Sequence, residues 1–311
     1  MTAHLTYLES GVVGLIQGVS EMFPVSSLGH NVLIPAIVGG SWARDLDVAS
    51  PESPYLAFIV GLHVATAIAL LIYFWRDWLK IIGGFLSSVR DLSVETADQK
   101  LAWMIILATI PVGIVGVVFE HTFRVLFARP ILAGIFLMVN GLILLAGERH
   151  RTRASLAADA AVAAARAPGR AAELADARQA DLRLASMGYP KAVIIGSAQV
   201  FALLAGISRD GVTIVAGLRR GLSREDAARF AFLLATPVIL AAGALKIPDL
   251  LGPLGNGIRG QILLGSVLSG IGAYLSVRFL LRYLRTRTLT PFGIYCLIAG
   301  LASVVYLSLV R

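Results

Sequence analysis

A run of polar residues interrupts the first long apolar segment of the chain. The run begins at Gln17 and reads QGVSEMFPVSSLGH. Gln17 and Glu21 are four positions apart and share one helix face, and Pro24 ends that helix because a proline further inside would clash with the preceding turn. Ser27 and His30 follow on the next turn, close enough for the imidazole to activate the hydroxyl or to carry a proton. This pattern predicts acid–base chemistry.

A second polar run, AGISRDGVT, lies far along the chain. Arg209 suits a phosphate because its planar guanidinium donates paired hydrogen bonds. Ser208 and Thr213 add hydroxyl groups, while Gly206 and Gly211 permit close approach of the backbone. A helix that begins after such a loop also directs free N–H groups at an anion. Together the two runs supply a carboxylate, a histidine, a hydroxyl nucleophile and an arginine, which are the groups needed for phosphoryl transfer.

Each of these residues has a structural alternative when it is taken singly. A lone serine within the membrane is often a helix-packing donor, and a lone histidine such as His63 is usually just hydrogen-bonded. An intramembrane carboxylate such as Glu21 is equally compatible with a buried pair. The concentration of all these groups in two broken segments favours a functional site.

Composition predicts where these segments lie. Of 311 residues, 57% are hydrophobic and 15% are charged, with a mean hydropathy of +0.79; soluble domains carry about 25% charged residues. We therefore predict an all-α polytopic membrane protein. The net charge of +8 is distributed as expected for membrane topology, so we expect no nucleic-acid partner.

Six stretches have about the 20 residues needed to cross a bilayer, and two further apolar stretches are broken by polar residues. The predicted spans are 55–75, 101–119, 130–147, 226–247, 261–281 and 289–310. The broken stretches, 10–39 and 192–218, are predicted to be re-entrant helical hairpins, because irregular backbone at membrane depth must be surrounded by protein or a water-filled cavity.

The positive charges predict the orientation. Loops on one side of the six spans hold 18 Lys and Arg residues, against 6 on the other side. The richer side is predicted to be cytoplasmic. Both termini are then outside, and we expect the site to open outward from a bacterial cytoplasmic (inner) membrane.

The two broken segments also align with each other at an offset of 182 residues. Gly14, Gln17, Ser26 and Gly29 fall on Gly196, Gln199, Ser208 and Gly211. Two further echoes pair LATIPV with LATPVI, and Gly134 and Gly141 with Gly293 and Gly300. Each hairpin precedes three spans, an odd number, which predicts an inverted repeat. The predicted units are a first repeat (1–147), a polar cytoplasmic insert (148–190) and a second, inverted repeat (191–311). The insert suits a polar helix or a disordered linker, serving either as a connection or as a docking arm.

At the two polar runs the chain resembles the bacterial undecaprenyl-diphosphate phosphatase family, which is also known for bacitracin resistance. The family's first motif, (Glu/Gln)-x-x-x-Glu running into Pro-Val-Ser-Ser-x-Gly-His, is matched by Gln17, Glu21, Pro24, Val25, Ser26, Ser27, Gly29 and His30. Its second motif, Pro-Gly-x-Ser-Arg-Ser-Gly-x-Thr, is matched by Gly206, Ser208, Arg209, Gly211 and Thr213. The resemblance covers nearly the whole chain except 150–186.

This resemblance implies hydrolysis of undecaprenyl diphosphate to the monophosphate, which recycles the carrier lipid for peptidoglycan and cell-wall synthesis. The expected partners are a long-chain polyprenyl diphosphate and membrane lipid, and a monomer and a homodimer both stay open. The expected catalytic residues are Glu21, Ser27, His30 and Arg209. The expected substrate-binding residues are Gln17, Ser26, Gly206, Ser208, Gly211 and Thr213.

Two departures from the family pattern bear on the chemistry. The motif proline is Ala205, and the motif's second serine is Asp210. The Asp210 carboxylate could pair with Arg209 and compete with phosphate. It could instead join Glu21 in binding a divalent cation, Mg²⁺ or Ca²⁺; we expect no organic cofactor.

Other functions remain open at this point. Inverted repeats with hairpins at the bilayer midplane are typical of transporters, so a polyprenyl-phosphate transporter or flippase is the alternative, as is a diverged paralogue. Ser27 and His30 favour the hydrolase because transport needs no nucleophile. An ion channel is disfavoured, because Arg209 is not accompanied by acidic rings.

Overall fold

The described part of the chain is helical, without strands. The computed structural model describes residues 5–46, 54–119, 129–164, 170–252 and 257–310. Its α-helices are α1 (Tyr7–Met22), α2 (Ser27–Val38), α3 (Gly40–Asp45), α4 (Pro54–Tyr73), α5 (Trp75–Asp91), α6 (Ala97–Val118), α7 (Pro130–Arg149), α8 (Arg153–Ala164), α9 (Arg170–Ala185), α10 (Tyr189–Ser197), α11 (Arg209–Arg219), α12 (Arg224–Leu251), α13 (Arg259–Leu284) and α14 (Thr290–Val310). A 3₁₀ helix, Ala198–Leu203, follows α10.

The predicted membrane spans coincide with long apolar helices. Within the described ranges, α6, α7, α12, α13 and α14 are each long and apolar enough to cross a membrane. The sixth predicted span, 55–75, coincides with α4, which turns by 85° into α5. The prediction of an all-α polytopic membrane protein is therefore confirmed.

Helix α5 lies in a region that the sequence pattern predicts to be a loop. It buries the face that carries Ile81 and Gly84, and the exposed side chains of Leu79, Ile82 and Leu86 recur at helical spacing on the other face. An amphipathic helix set at a steep angle to the preceding span is typical of the membrane–water interface. Its charged residues kept the segment from being recognised as a helix.

Both predicted hairpins break where their polar runs lie. The helices α1 and α2 have 16 and 12 residues, or about 24 and 18 Å at 1.5 Å per residue. Each is shorter than a hydrocarbon core of about 30 Å. In the second hairpin, α10 and the 3₁₀ helix end before a loop that leads to α11. These lengths agree with re-entrant hairpins.

The helix contacts follow the predicted inverted repeat. Helix α1 packs along α13, and its counterpart α10 packs along α6. A Cβ added to Gly14 would lie 2.4 Å from the carbonyl oxygen of Gly265, and one added to its counterpart Gly196 would lie 2.1 Å from that of Ala108. Both positions therefore need glycine, because another helix crosses directly against the backbone.

Helices α7 and α14 are equivalent helices of the two repeats, and they pack against each other. Gly134 lies opposite Gly300, and Gly141 lies opposite Gly293. The sequence echo makes Gly134 equivalent to Gly293, and Gly141 equivalent to Gly300. Gly134 thus contacts the equivalent of Gly141, and Gly141 contacts the equivalent of Gly134. A two-fold axis produces this reciprocal pattern of contacts.

One of the sequence echoes does not follow this relation. LATIPV at 107–112 lies in α6, and LATPVI at 234–239 lies in α12. The packing makes α13 the counterpart of α6, and α4 the counterpart of α12. The similarity of these two short segments therefore does not reflect equivalent positions in the two halves.

The polar insert forms helices that pack on the membrane helices. Helix α9 contacts α6 and α12, and α8 contacts α12. Arg183 donates two 2.7 Å hydrogen bonds to Asp226, and the Arg229 guanidinium lies 2.9 Å from both Asp77 and Asp181. Burial raises the pKa of Asp181 despite the opposing effect of Arg229. Of the two predicted forms, the polar helix is found over the described part; the domain boundaries at 147 and 190 stay a prediction.

Candidate active site

The carboxylate of Glu21, at the end of α1, is the centre of the polar cluster. Gln17 donates a 3.0 Å hydrogen bond from Nε2 to Glu21 Oε2, and the Ser27 hydroxyl donates to the same oxygen. Arg209 donates from Nη2 to the other oxygen, Oε1. The Nε2 atom of His63 lies 3.4 Å from Oε2. The fold therefore brings four of the predicted residues together, and it adds one that had been assigned a structural role.

A further amide holds Gln17 in its orientation. Asn31, on α2, donates from Nδ2 to Gln17 Oε1 over 2.6 Å. Because the Gln17 oxygen is occupied in this way, its NH₂ group must face Glu21. Gln17 is fully buried and supports the Glu21 carboxylate, while its expected role in binding substrate stays a prediction.

Ser26 joins the two hairpins. Its φ of 65° lies in a region that a non-glycine residue adopts only when the surroundings impose it. The Ser26 hydroxyl oxygen accepts from the backbone N–H of Gly29 and from that of Gly206, both at 3.2 Å. The first of these bonds caps α2. Ser26 and Gly206 thus form one contact between the two hairpins, and their expected role in binding substrate stays a prediction.

Gly206 is needed at this contact for two reasons. Its φ is 107°, and a Cβ there would lie 2.3 Å from the carbonyl oxygen of Ala133. The neighbouring Ala205 is buried and occupies the position of the family's proline without breaking the loop. The loop of the second hairpin therefore forms with alanine at this position.

Ser208 begins α11 in the same way that Ser26 begins α2. Its hydroxyl oxygen accepts from the Gly211 N–H at 3.1 Å, while its own N–H donates to Asn140 Oδ1 at 2.9 Å. Asn140 also donates from Nδ2 to the carbonyl oxygen of Pro24, at 2.9 Å. Asn140, which lies on α7, thus links the loop that holds Pro24 to the loop that precedes α11. Sequence reasoning missed it, although a single Asn in an apolar span is a signal of buried hydrogen bonding.

The residues that follow Ser208 have different environments. Thr213 donates its hydroxyl to the Arg209 carbonyl oxygen at 2.7 Å, so this hydroxyl is committed to the backbone of α11. The Asp210 side chain is buried, and both of its oxygens lack a hydrogen-bond partner among the described residues. Its Oδ1 lies 3.7 Å from Arg209 Nε, beyond hydrogen-bond range. Glu21 therefore holds the Arg209 guanidinium by a hydrogen bond, whereas Asp210 lies only at ion-pair distance from it.

His30 does not contact the Ser27 hydroxyl through a hydrogen bond. Its Nδ1 lies 2.7 Å from the Ser26 carbonyl oxygen, so Nδ1 is the donor, and its Nε2 lies 2.7 Å from the Tyr295 hydroxyl. The two rings are also stacked, with centroids 5.8 Å apart. Helical side chains lean toward the helix N-terminus, which brings His30 back onto the carbonyl four residues earlier. The expected Ser27–His30 pair is therefore replaced by a Ser27–Glu21 pair.

His63 enters the cluster from α4. Its Nδ1 donates to the Ile59 carbonyl oxygen over 2.9 Å, which directs Nε2 toward Glu21. Its side chain is 27% exposed, so the imidazole is the most accessible of the groups that contact this carboxylate. The sequence signal was a single histidine within an apolar span, which is equally typical of a packing residue.

The described residues do not form a ready metal site. No three His, Cys, Asp or Glu side chains among them are placed to hold one ion. Both oxygens of Glu21 are engaged by protein donors, and Arg209 supplies the positive charge beside it. The expected cation at Glu21 and Asp210 stays a prediction.

Comparisons with known proteins show which family the chain belongs to. The family described as bacitracin resistance protein BacA matches residues 10–302. An undecaprenyl-diphosphatase of Mycolicibacterium paratuberculosis is 58% identical, covering 99% of this chain and 100% of the relative. Undecaprenyl-diphosphatase 2 of Frankia alni is 54% identical over 95% of this chain and 96% of its own length, and that of Chromobacterium violaceum is 40% identical over 96% and 98%. This chain therefore belongs to the bacitracin resistance protein BacA family.

Proposed function

We propose that this protein hydrolyses undecaprenyl diphosphate to undecaprenyl monophosphate and phosphate. The observation that carries the proposal is the contact of Ser27 and Arg209 with the single carboxylate of Glu21. A nucleophile, its base and a phosphate-binding cation thus meet at the point where the two hairpins join. The names of the relatives support the same reaction, and cell-wall synthesis and bacitracin resistance fit the family.

Ser27 and Glu21 carry out the first step of the proposed reaction. The Ser27 oxygen attacks the terminal phosphorus while its proton passes to Glu21. A bond forms between this oxygen and phosphorus as the bond to the bridging oxygen breaks. The bridging oxygen leaves on the lipid monophosphate, which takes up the proton from Glu21.

Water completes the cycle in the second step. Glu21 accepts a proton from a water molecule that attacks the same phosphorus. The bond between phosphorus and Ser27 breaks, and the hydroxyl regains its proton. Direct attack of water on the diphosphate, with Glu21 as base, is the alternative that a Ser27 variant distinguishes.

Arg209 and the two helix starts provide the charge stabilisation. Ser27 and Arg209 are the first residues of α2 and α11, so the N-termini of two half-helices flank the same carboxylate. Helix N-termini favour anions, and the Arg209 guanidinium can exchange Glu21 for a phosphate oxygen. Its buried Nε has no hydrogen-bond partner in the described part of the chain and lies 3.7 Å from Asp210 Oδ1.

The location of the reaction follows from the charge distribution in the sequence. The excess of Lys and Arg on one side favours a bacterial cytoplasmic membrane with both termini outside and the site opening outward. The long-chain polyprenyl diphosphate would reach the site from the surrounding lipid. A monomer and a homodimer are both compatible with this arrangement.

A polyprenyl-phosphate transporter is the second candidate, favoured by the two-fold relation between the helix pairs. Hydrolysis separates the two functions. Purified protein in detergent is given a long-chain isoprenoid diphosphate with Mg²⁺, Ca²⁺ or EDTA, and phosphate release is followed. We expect release by the parent and by a Ser186→Ala control, whose serine is exposed, and loss in Ser27→Ala. No release by the parent under any condition would contradict the proposal, and full activity of Ser27→Ala would transfer the attack to water.

The EDTA arm tests the predicted divalent cation separately. If a cation assists the diphosphate, EDTA lowers the rate and added Mg²⁺ or Ca²⁺ restores it. A rate that is insensitive to EDTA would leave Arg209 as the main source of positive charge.

A further inference from the structure

Five large apolar side chains run along the exposed face of α5 from its first turn to its last. They follow one another at intervals of four, three, four and three residues: Trp75, Leu79, Ile82, Leu86 and Val89. Each is between 50% and 64% exposed. Because an α-helix has 3.6 residues per turn, these five side chains form one continuous stripe. Over the 17 residues of α5 the stripe is about 25 Å long at 1.5 Å per residue.

A polar sector runs beside the apolar stripe of α5. The residue that follows each member of the stripe is basic or small: Arg76, Lys80, Gly83, Ser87 and Arg90. One residue corresponds to about 100° of rotation around a helix, so these five residues form a second, parallel line on the neighbouring side. The exposed part of α5 is therefore amphipathic in itself, with an apolar side and a polar side.

The third face of α5 is fixed to α6, so the helix cannot turn to bury its stripe. A Cβ added to Gly84 would lie 2.6 Å from the backbone carbonyl carbon of Asp98. Trp103 on α6 donates from Nε1 to the Ser88 hydroxyl over 2.9 Å. The close contact and the hydrogen bond set the rotation of α5 about its own axis. The stripe therefore needs an apolar partner other than α6.

The polar insert marks the aqueous side of α5. Asp77 on α5 and Asp181 on α9 both lie 2.9 Å from the Arg229 guanidinium. Burial raises the pKa of Asp181, and the charges of Arg229 and Lys80 oppose that rise. Lys80 belongs to the polar sector, so this sector faces the insert. The stripe faces away from the insert, as expected for a side that meets hydrocarbon.

The stripe continues the lipid-facing surface of the preceding span. Ile68 and Ile72 on α4 are 47% and 58% exposed, and Trp75 follows them at the same helical spacing. The 85° bend between α4 and α5 turns this surface from the direction of the span toward the plane of the membrane. Trp75 and Trp78 stand in the first turn of α5, and tryptophan is enriched at membrane–water interfaces. The bend therefore lies at the boundary between hydrocarbon and headgroups.

We propose that α5 docks in the plane of one leaflet of anionic phospholipid, with its stripe among the acyl chains and Arg76 and Lys80 at the headgroup phosphates. The exposed surface of α5 suits this partner because it is basic. Within α5, which is described throughout, Asp91 is the one exposed acidic residue, and it accepts two hydrogen bonds from Arg90. Amphipathic helices of this kind lie about 5–10 Å deep at the boundary between headgroups and acyl chains, and anionic lipid attracts their basic residues.

A second copy of the chain is a poorer partner for the stripe. A surface about 10 Å wide, the diameter of one helix, and about 25 Å long has an area of roughly 250 Å². A stable protein–protein interface buries about 800 Å² on each partner. The stripe alone is therefore too small to hold two copies together, whereas a bilayer covers it completely.

The depth of single labelled positions tests the docking. Cys296→Ala removes the one cysteine of the chain, and Ile82→Cys on the stripe is compared with Gly83→Cys in the polar sector, where an added Cβ meets open space. Ile298→Cys, exposed on the span α14, and Ser186→Cys, exposed on the insert, are the references for hydrocarbon and water. Each full-length protein carries an environment-sensitive fluorophore in phospholipid vesicles, and quenching is measured with nitroxides at shallow and deep acyl positions and with aqueous iodide. Thermal unfolding and phosphate release establish that each variant is folded.

The expected result is a different quencher for each side of α5. The label at Ile82 should be quenched most by the shallow nitroxide and the label at Ile298 by the deep one, while iodide should quench Gly83 and Ser186. Quenching of Ile82 by iodide to the extent seen at Ser186 would mean that the stripe faces water. Quenching mainly by the deep nitroxide would mean that α5 enters the core. Protection from all quenchers, with disulfides between Ile82→Cys chains, would show a second copy. Each of these three results would overturn the proposal.

A second measurement tests the headgroup contacts of Arg76 and Lys80. A label at Leu79→Cys is quenched with nitroxide-labelled phosphatidylglycerol or phosphatidylcholine of identical acyl chains, and the ratio of the two reports the local lipid composition. One basic residue near an anionic surface strengthens binding by about fivefold, so combining Arg76→Gln with Lys80→Gln should lower the preference for phosphatidylglycerol by at least about fivefold. The control combines Arg219→Gln and Arg220→Gln, at two exposed positions at the end of α11, and should keep the parental ratio. No preference in the parent, or an equal loss in the control, would overturn the proposal.

Discussion

The Arg209 guanidinium lies against the Glu21 carboxylate, 188 positions earlier in the chain and in the other half of the molecule. Both side chains are mostly buried, so each neutralises a charge that would otherwise be left in a low-dielectric surrounding. The contact therefore links the two hairpins. In the proposed mechanism, a diphosphate that enters replaces one of these partners.

The first prediction concerns the shape of the Arg209 side chain. Arg209→Lys keeps the positive charge but loses the planar pair of donors. We expect kcat/KM for phosphate release to fall by about 10²- to 10³-fold, the usual loss for one donor to a developing oxyanion, with little change in thermal stability because lysine can still pair with Glu21. Arg219→Lys, at an exposed site, serves as the control. Parental kcat/KM in Arg209→Lys would show that a point charge suffices.

The second prediction concerns the base. Glu21→Gln keeps the shape of the side chain but removes the proton acceptor and leaves Arg209 without its counter-charge. We expect activity to fall by about 10²- to 10⁴-fold, and the unfolding temperature to fall as well, because breaking a buried pair typically costs about 3–5 kcal/mol. Rate and thermal unfolding are measured beside Glu95→Gln, which alters an exposed acid. Activity near the parental level would remove Glu21 from the mechanism.

The third prediction separates the two neighbouring serines. Ser26→Ala loses the cap of α2 and the bond to Gly206, so it should lower stability by about 1–3 kcal/mol. Ser27→Ala also loses one buried hydrogen bond, to the Glu21 carboxylate, which typically costs about 1.5–3 kcal/mol, but it should in addition abolish most phosphate release. Thermal unfolding and rate are compared for both variants. The prediction would be contradicted if Ser26→Ala were stable but inactive and Ser27→Ala were unstable but active. The two hydroxyls would then have exchanged roles.

The fourth prediction concerns the two histidines. His63 contacts Glu21 directly, so His63→Gln should lower the rate by at least about tenfold, with His150→Gln as an exposed control. The expected catalytic role of His30 stays a prediction, and its described contacts are to the Ser26 carbonyl oxygen and the Tyr295 hydroxyl. Tyr295→Phe keeps the stacked ring and removes one of these hydrogen bonds, so thermal unfolding should show a loss of about 0.5–1.5 kcal/mol of stability. Unaltered activity in His63→Gln would return this residue to a packing role.

Much of the fold could be predicted because it depends on local pattern. The length and apolarity of α6, α7, α12, α13 and α14 are set by single segments, and the breaks at Pro24 and Gly206 follow from residue types that end helices. The 182-residue offset made the convergence of Glu21 and Arg209 predictable as well. These features do not depend on how each helix is rotated about its axis.

The contacts that were missed depend on that rotation. A span that is apolar on every side gives no periodicity from which its orientation can be derived, so nothing in α4, α7 or α14 indicated that His63, Asn140 or Tyr295 faces the hairpins. The exchange of His30 for Glu21 as the partner of Ser27 has a different origin. It follows from the lean of helical side chains toward the N-terminus, which places His30 on the Ser26 carbonyl oxygen; residue spacing alone does not distinguish this partner from Ser27.

The last prediction concerns Asp210, where this chain departs from the family motif. The Asp210 carboxyl is buried and has no hydrogen-bond partner among the described residues. A buried polar group without a partner lowers stability by about 1–3 kcal/mol. Asp210→Asn and Asp210→Ser should therefore raise the unfolding temperature of the purified protein.

Asp226 provides the matched contrast for Asp210. It is equally buried but accepts two hydrogen bonds from Arg183, so Asp226→Asn should lower the unfolding temperature. Because Glu21 holds Arg209, we expect KM and EDTA sensitivity in Asp210→Ser to stay at the parental values. A lower KM would show that Asp210 competes with phosphate for Arg209, whereas a rate loss that extra metal restores would show a cation ligand. Destabilisation of Asp210→Asn to the same extent as Asp226→Asn would mean that Asp210 has a bound partner, and the stability argument would then fail.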